Sequence, residues 1–317
     1  MNVISCKFGM KGFLRGRLYN VKTNRYRVVT DWIPNAMLLS GMNQMADFSN
    51  WAGGASKCHV GTVSVPAPST TDTQLLGYVD GTATIVENTS GAQPSVPFYG
   101  WDRTTYQFPV GPIGGQNLQE GGIGWATAHS PAALICRALF TDGMGGNPTF
   151  TPLPDEVMQV QYELRYYPPL SDVLGTVTLN GTVYDTVTRA ALVAQWGENI
   201  GIQMGVWSTS SVNWKAYDGL LGTIEQNPNG LNEDNDNTAQ FNHAYGNNNF
   251  YVDMQCDCGV GGWILAAGIR SIAITTNAGF FQTQFTAQGT GNTIPKTLND
   301  FSMSLVWRLA WSEKILP

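Results

Sequence analysis

The sequence predicts a mainly β protein: two tandem, related β-sandwich-like domains, each with a short helix. Three observations predict it. Alternating apolar and polar residues, the period of a half-buried strand, recur in short runs along most of the chain. The 36 Gly and 16 Pro, grouped with Asn and Asp, punctuate those runs as turns. The chain also repeats itself. Residues 134–169 and 279–311 each contain a strand ending Phe-Thr (Phe140, Phe285), a turn ending Gly-Asn (Asn147, Asn292) and a long strand with an arginine near its end (Arg165, Arg308). Leu75-Leu76-Gly77 is echoed by Leu220-Leu221-Gly222, at the same offset of 145 as the Phe-Thr and Gly-Asn pairs. Val60-Gly61 is matched with Met204-Gly205, and Gly122-Ile123 with Gly268-Ile269. A period this long means domain duplication rather than a solenoid. The domains are placed at residues 1–169 and 170–317, divided at Pro168-Pro169, which cannot donate to a ladder.

In chain order, residues 12–19 and 24–31 read as a hairpin with its turn at Lys22-Thr23-Asn24. Pro34 suits a first helical turn, and Met37, Leu38, Met42 and Met45 fall near helical spacing, so a helix is expected over 34–48. Strands are expected at 57–65, 82–87, 99–108, 123–128, 134–140 and 156–167. The second domain opens on a hairpin whose Asn180-Gly181 demands a two-residue turn. Residues 189–196 take the helix position, and strands follow at 201–207, 250–256, 263–267, 271–276, 280–285 and 301–311. Residues 226–249 are the most irregular stretch.

Composition narrows the function. Charged residues are 13% of the chain, about half the usual ~25%, so the polar surface comes largely from Ser, Thr, Asn and Gln, as in β-rich assembly proteins. Net charge is −6 and no two Lys or Arg are adjacent, which argues against a nucleic-acid groove. No apolar run reaches membrane-spanning length and residues 1–12 lack a signal-peptide core, so no membrane insertion is expected. Five cysteines, odd in number and irregularly spaced, suit folding in a reducing compartment.

The chemistry-bearing residues make weak constellations. Cys256-Asp257-Cys258, with Cys58-His59 elsewhere, lacks the two-to-four-residue thiol spacing of a zinc knuckle, and buried free thiols are the simpler reading. Glu233, Asp234 and Asp236 miss the pattern of a calcium loop. Three histidines (His59, His129, His243) give a catalytic triad little support, and Gly143–Asn147 has no following Gly-Lys-Ser/Thr. No catalytic residue, metal site or cofactor is expected. Two groups are candidate contacts. Arg15, Arg17, Arg25 and Arg27 lie in the most basic stretch and suit either an acidic neighbouring subunit or a solvated strand face. Trp207, Trp214 and Tyr217 precede the Asn/Asp-rich loop; if exposed they would stack on a receptor or glycan, and otherwise they are core or interface aromatics.

Several motifs carry a family resemblance: Thr30-Asp31-Trp32-Ile33-Pro34-Asn35 before a helix; Cys58-His59-Val60-Gly61-Thr62 with Asp72-Thr73-Gln74-Leu75; Gly121-Gly122-Ile123-Gly124-Trp125; and Arg137-Ala138-Leu139-Phe140 through Asp155-Glu156 to Tyr162-Glu163-Leu164-Arg165. Together they resemble a family of tailed-bacteriophage virion proteins that comprises tail-fibre, baseplate and other minor structural proteins, most clearly over residues 30–190. The resemblance implies a virion part, made in the bacterial cytoplasm, that self-associates as a homotrimer and docks on other tail, baseplate or neck proteins. A receptor- or glycan-binding module of the tail and a capsid decoration protein are the alternatives. With the duplication, it also suggests that three two-domain chains line a ring of pseudo-sixfold symmetry.

Overall fold

The computed structural model describes residues 3–44, 56–109, 111–125, 133–140, 150–196, 212–235, 239–244, 250–258, 263, 265–276, 278–295 and 303–314. In chain order the first lobe holds β1 (Val3–Asn20), β2 (Arg25–Val29), β3 (Ile33–Pro34), β4 (Ala36–Met37), helix α1 (Leu39–Gln44), β5 (Lys57–Gly61), β6 (Tyr78–Thr82), β7 (Ile85–Gln93), β8 (Tyr99–Phe108), β9 (Glu120–Gly124), β10 (Leu134–Leu139) and β11 (Glu156–Tyr167). The second holds β12 (Val173–Leu179), β13 (Thr182–Ala191), a 3-10 turn (Val193–Gln195), β14 (Asn213–Tyr217), β15 (Asn232–Asn235), β16 (Ala239–Ala244), β17 (Tyr251–Cys258), β18 (Ser271–Thr276), β19 (Gly279–Ala287) and β20 (Met303–Glu313). The fold is mainly β, with one curled sheet shaped like a half-barrel.

Three sheets carry it. The large sheet runs β16-β17-β20-β1-β11-β8-β7, with β2 and β3 beside β1. The smaller sheets run β4-β10-β9-β5-β6 and β12-β13-β19-β18-β14-β15. The two lobes repeat one wiring: β11-β8-β7 corresponds to β20-β17-β16, and β4-β10-β9-β5-β6 to β13-β19-β18-β14-β15. Hydrogen bonds outside the ladders repeat too. The amides of Gln119 and Arg270 donate to Gly61 O and Tyr217 O, and those of Phe140 and Phe285 donate to Gln119 O and Arg270 O. Isolated bridges join Leu118 to Phe150 and Ile269 to Ile294.

The large sheet is a palindrome about β1. Strand β1 is antiparallel to β11 but parallel to β20, so the equivalent strands β11 and β20 run oppositely. Arg165 stands opposite Lys11, and its counterpart Arg308 opposite Ser5. Both β1 positions lie equally far from Phe8, and the same holds for every pair at that spacing. The lobes are therefore related by an approximate half-turn through Phe8. A half-turn closes a pair, whereas a ring needs each unit rotated head-to-tail onto the next. The pseudo-sixfold ring is thus not the symmetry of this duplication.

The physical basis of β1 is its alternation. Ile4, Cys6, Phe8, Met10, Leu14 and Leu18 point inward and are buried, while Ser5, Lys7, Lys11, Arg15 and Arg17 line the other face. Gly16 lets Phe150 approach: a β-carbon there would stand 2.7 Å from the ring. Beneath the sheet one continuous apolar core takes in residues of both lobes. The helices cross between lobes. Trp311 Nε1, on β20, donates to Met42 O in α1 at 3.3 Å, and the 3-10 turn packs on β7 and β8.

Most expected strands are present, those at 99–108, 156–167 and 271–276 with the same bounds. The Asn180-Gly181 hairpin is there, both residues at positive φ. The helix is shorter than expected within the described residues, starting at Leu39, because Ile33–Pro34 and Ala36–Met37 pair as strands instead. The 189–196 position is strand to Ala191 and then a 3-10 turn. Residues 265–267 are irregular rather than strand. Two repeat matches shift: the counterpart of β5 is β14, and Ile269 answers Leu118 rather than Ile123. The expected strand at 201–207, Met204-Gly205 and the Asn147 turn lie outside the described residues.

Candidate functional site

The Leu-Leu-Gly echo marks a clamped turn in each lobe. In the first, Leu76 and Gly77 donate their amides to the Glu120 carboxylate at 3.4 and 2.6 Å. Glu120 accepts in turn from Arg137 Nε at 2.8 Å, and Arg137 reaches Asp72 and Pro66 O. Arg137 and Glu120 are both fully buried. In the second lobe Leu221 and Gly222 donate to the side-chain oxygens of Gln284 and Gln282 at 3.4 and 2.9 Å. Each clamp satisfies amides that a buried turn would otherwise orphan.

The outer face of the large sheet is a lattice of arginines and rings. Arg103 lies over both Trp32 and Trp101, 5.0 and 4.7 Å from their centroids, and ion-pairs with Glu163. Arg165 lies over Phe13 and Tyr99, and also binds Glu163. In the second lobe Arg308 pairs with Asp253 and lies 3.7 Å over Tyr251. This lattice accounts for the basic hairpin. Arg15 Nε donates to Thr30 O with its guanidinium over Trp32, Arg17 binds Gln159 and lies over Tyr26, and Arg27 makes a fork to Glu156. Burial pushes the Arg17 guanidinium below its ordinary value. Arg25 is exposed. Three of the four predicted contact arginines are therefore engaged within the chain.

Where β1, β11 and β20 meet at the half-turn axis, this face sinks into an open cleft of about 1180 Å³. Pro97 and Phe98 rise on one side, Tyr167 and Pro168 on another, and Phe13 and Arg165 line it from the sheet. Lys7, Glu313 and Lys314 also line it. Glu313 is held by Lys11 at 2.6 Å, and Arg165 by Glu163. Lys7 and Lys314 are exposed and make no ion pair among the described residues. The amide of Lys314 donates to Met10 O, which carries the end of β20 along β1 to the cleft.

The aromatic prediction is corrected in part. Trp214 and Tyr217 are 1% and 4% exposed: β14 turns Trp214, with Ala216, into the apolar core, while Tyr217 is covered on the other face of the strand, so neither presents a ring for stacking. Trp207 lies outside the described residues. All five cysteines are free and buried, with Cys58 on β5 of the first lobe and Cys256 and Cys258 on β17 of the second; the thiol near Cys58 is Cys136, across Ile123. Among the described residues no group of three or more His, Cys, Asp or Glu is placed to hold a metal ion. The side chains of Glu233, Asp234 and His243 are not described, and Asp236, His129 and 143–147 lie outside. No helix among the described residues is long and apolar enough to cross a membrane.

Two titratable groups sit inside the first lobe. Burial drives the Asp102 carboxyl up to about 7 and the His59 imidazole down to about 4. Lys7, Phe98, Tyr167 and Lys314 were not singled out from the sequence, because four chain-distant segments build the cleft. Its one sequence cue is the proline pair after Tyr167, legible as a boundary rather than a wall. Comparison with protein families, with curated proteins and with solved structures finds no match to this chain.

Proposed function

We propose that the chain is a non-enzymatic structural component of a tailed-phage virion, a tail-fibre, baseplate or neck part, that self-associates and docks on neighbouring virion proteins. The virion placement rests on the sequence resemblance. The docking rests on β7. This edge strand of the large sheet is nine residues long, and Ile85 to Ser90 are exposed one after another, including Ile85 at 42% and Val86 at 48%. Natural edges are usually blunted by lysine, proline or a bulge. Strand β7 has neither Lys nor Pro, its irregularity is confined to Ile85–Glu87, and among the described residues no strand pairs with its outer edge, which leaves an open ladder there. Such an edge is a template for strand addition by another chain.

Light scattering at several concentrations tests the self-association. The expected result is a stable oligomer, a trimer if the resemblance holds, that dissociates in a Val86→Lys, Asn88→Lys variant. A wild-type monomer at every concentration overturns self-association. Antibody labelling of intact virions tests the placement. Label on the tail supports it, label over the shell assigns the decoration role instead, and virions without label overturn a virion role.

A further inference from the structure

We propose that the cleft beside Phe8 binds an extended acidic segment of a partner protein, one that carries proline or aromatic side chains between its carboxylates. The inference deepens the docking reading above and rests on it, but uses a surface separate from the β7 edge. At about 1180 Å³ and open along the sheet, the cleft exceeds the ~300–1,000 Å³ of ordinary small-molecule pockets and suits a chain instead. Its walls are flat and stiff: Pro97, Phe98, Tyr167 and Pro168. Aromatic-lined grooves of this kind take extended, proline-containing segments, which lose little entropy on binding.

Charge selects the sign of the segment. The cleft's one carboxylate, Glu313, is neutralised by Lys11, while Lys7 and Lys314 stand exposed on an otherwise acidic chain of net charge −6. Neither lysine has an acidic partner among the described residues, and the Lys314 ammonium lies over the Tyr167 ring, 6.0 Å from its centroid, so an incoming carboxylate has no other carboxylate to displace. A saccharide fits less well. Its hydroxyls need several paired donors and acceptors, and beyond the engaged Glu313 the cleft's uncharged polar side chains are Ser171, Ser312 and the phenol of Tyr167.

The test uses the full chain and two fluorescein-labelled peptides, repeats of Glu-Pro-Phe-Pro and of Lys-Pro-Phe-Pro, followed by fluorescence anisotropy. The acidic peptide is expected to bind at least about tenfold tighter than the basic one, and less tightly as salt rises. In a Lys7→Glu, Lys314→Glu variant, both exposed positions, the preference is expected to invert while the mass by light scattering stays that of the wild type. Equal binding of the two peptides, no saturation below about 1 mM, or an unchanged preference in the variant overturns the inference. Oligogalacturonate that displaces the probe when unlabelled acidic peptide does not would overturn it in favour of an anionic saccharide. A change of oligomeric mass in the variant would overturn it by assigning the cleft to self-association. If the peptides fail while the wild-type chain still forms its oligomer, this inference falls and the docking through β7 stands.

Discussion

Arg137 and Gln282 hold the same place in the two lobes, opposite Gly122 on β9 and Ala273 on β18. Each side chain reaches the Leu-Leu-Gly turn, one by way of Glu120 and the other directly. The same fold problem, two turn amides pointing into a buried site, is solved once by a charged pair and once by two neutral amides, Gln284 and Gln282. Gln282 also donates to Thr223 O at 2.8 Å, so its amide serves both sides of the turn.

The two solutions differ in what they risk. Arg137→Gln alone leaves Glu120 buried beside an amide and is expected to cost about 3–5 kcal/mol, the usual penalty for breaking a buried pair. Adding Glu120→Ser removes that charge and sets Ser and Gln where the second lobe has Ser271 and Gln282, and is expected to recover about 2 kcal/mol or more. Urea denaturation of the single and double variants measures both. Equal losses in the two would show that the charge of Glu120 does not decide the cost.

Arg165 and Arg308 give a second matched pair. Each lies over a tyrosine, Tyr99 or Tyr251, set two residues before its own cross-strand partner, Trp101 or Asp253. Tyr99→Leu and Tyr251→Leu are each expected to cost about 0.5–1 kcal/mol beyond the lost apolar area. Strands β8 and β17 are four strand spacings apart, about 19 Å, so the double variant is expected to show additive losses in chemical denaturation. A clearly non-additive double variant would mean that the outer lattice acts as one network.

The repeat was legible because its anchors are residues that turns and buried strands need: Leu-Leu-Gly, the Phe-Thr strand end and the late arginine. The matches that slipped, Gly122 with Gly268 and Val60 with Met204, rested on glycines in strands and loops, which recur for many reasons. The half-turn was not legible, since strand direction in a sheet depends on pairing partners and β1 takes partners from both ends of the chain. The inward turn of Trp214 was half visible: its neighbours Asn213 and Lys215 alternate with it, but a single alternation does not say which face is covered. The cleft left almost no trace, because Lys7, Phe98, Tyr167 and Lys314 share no segment and no period.

The buried Asp102 and His59 make stability depend on pH in opposite senses. The Asp102 carboxyl is raised to about 7 by burial, with the Arg103 amide opposing. Its contribution is complete below about 4, where the unfolded carboxyl is also protonated, and is lost as pH rises through 7. The His59 imidazole is lowered to about 4 by burial, with Asp80 opposing and Lys57 adding. Its contribution is complete above about 6.5 and is lost as pH falls through 4. Between about 4 and 6.5 the two slopes oppose each other, so Asp102→Asn is expected to leave stability rising with pH across that window. At pH 8 the same variant is expected to be stabilised by up to roughly 4 kcal/mol, and at pH 3 to match the wild type. Urea midpoints measured from pH 3 to 8 give both limbs. A variant that shifts equally at pH 3 and pH 8 would place the effect in packing rather than in ionisation.

Phe8 marks the half-turn and belongs to both lobes at once. Its ring centroid lies 5.7 Å from that of Tyr166 on β11 and 6.2 Å from that of Trp311 on β20. Phe8→Ala therefore removes packing under two equivalent strands, and a loss of about 3–5 kcal/mol is expected. Because one apolar core runs through both lobes, the loss is expected in both. Native-state hydrogen exchange reads this strand by strand: the amides of β11 and β20 are expected to lose protection by the same free energy, as they do when a chain opens cooperatively. Loss confined to β11 would show that the second lobe stands without β1. The sheet pairing argues otherwise, since β20 has β17 on one side and Val3 to Met10 of β1 on the other, and no other described strand could take that edge without breaking the palindrome.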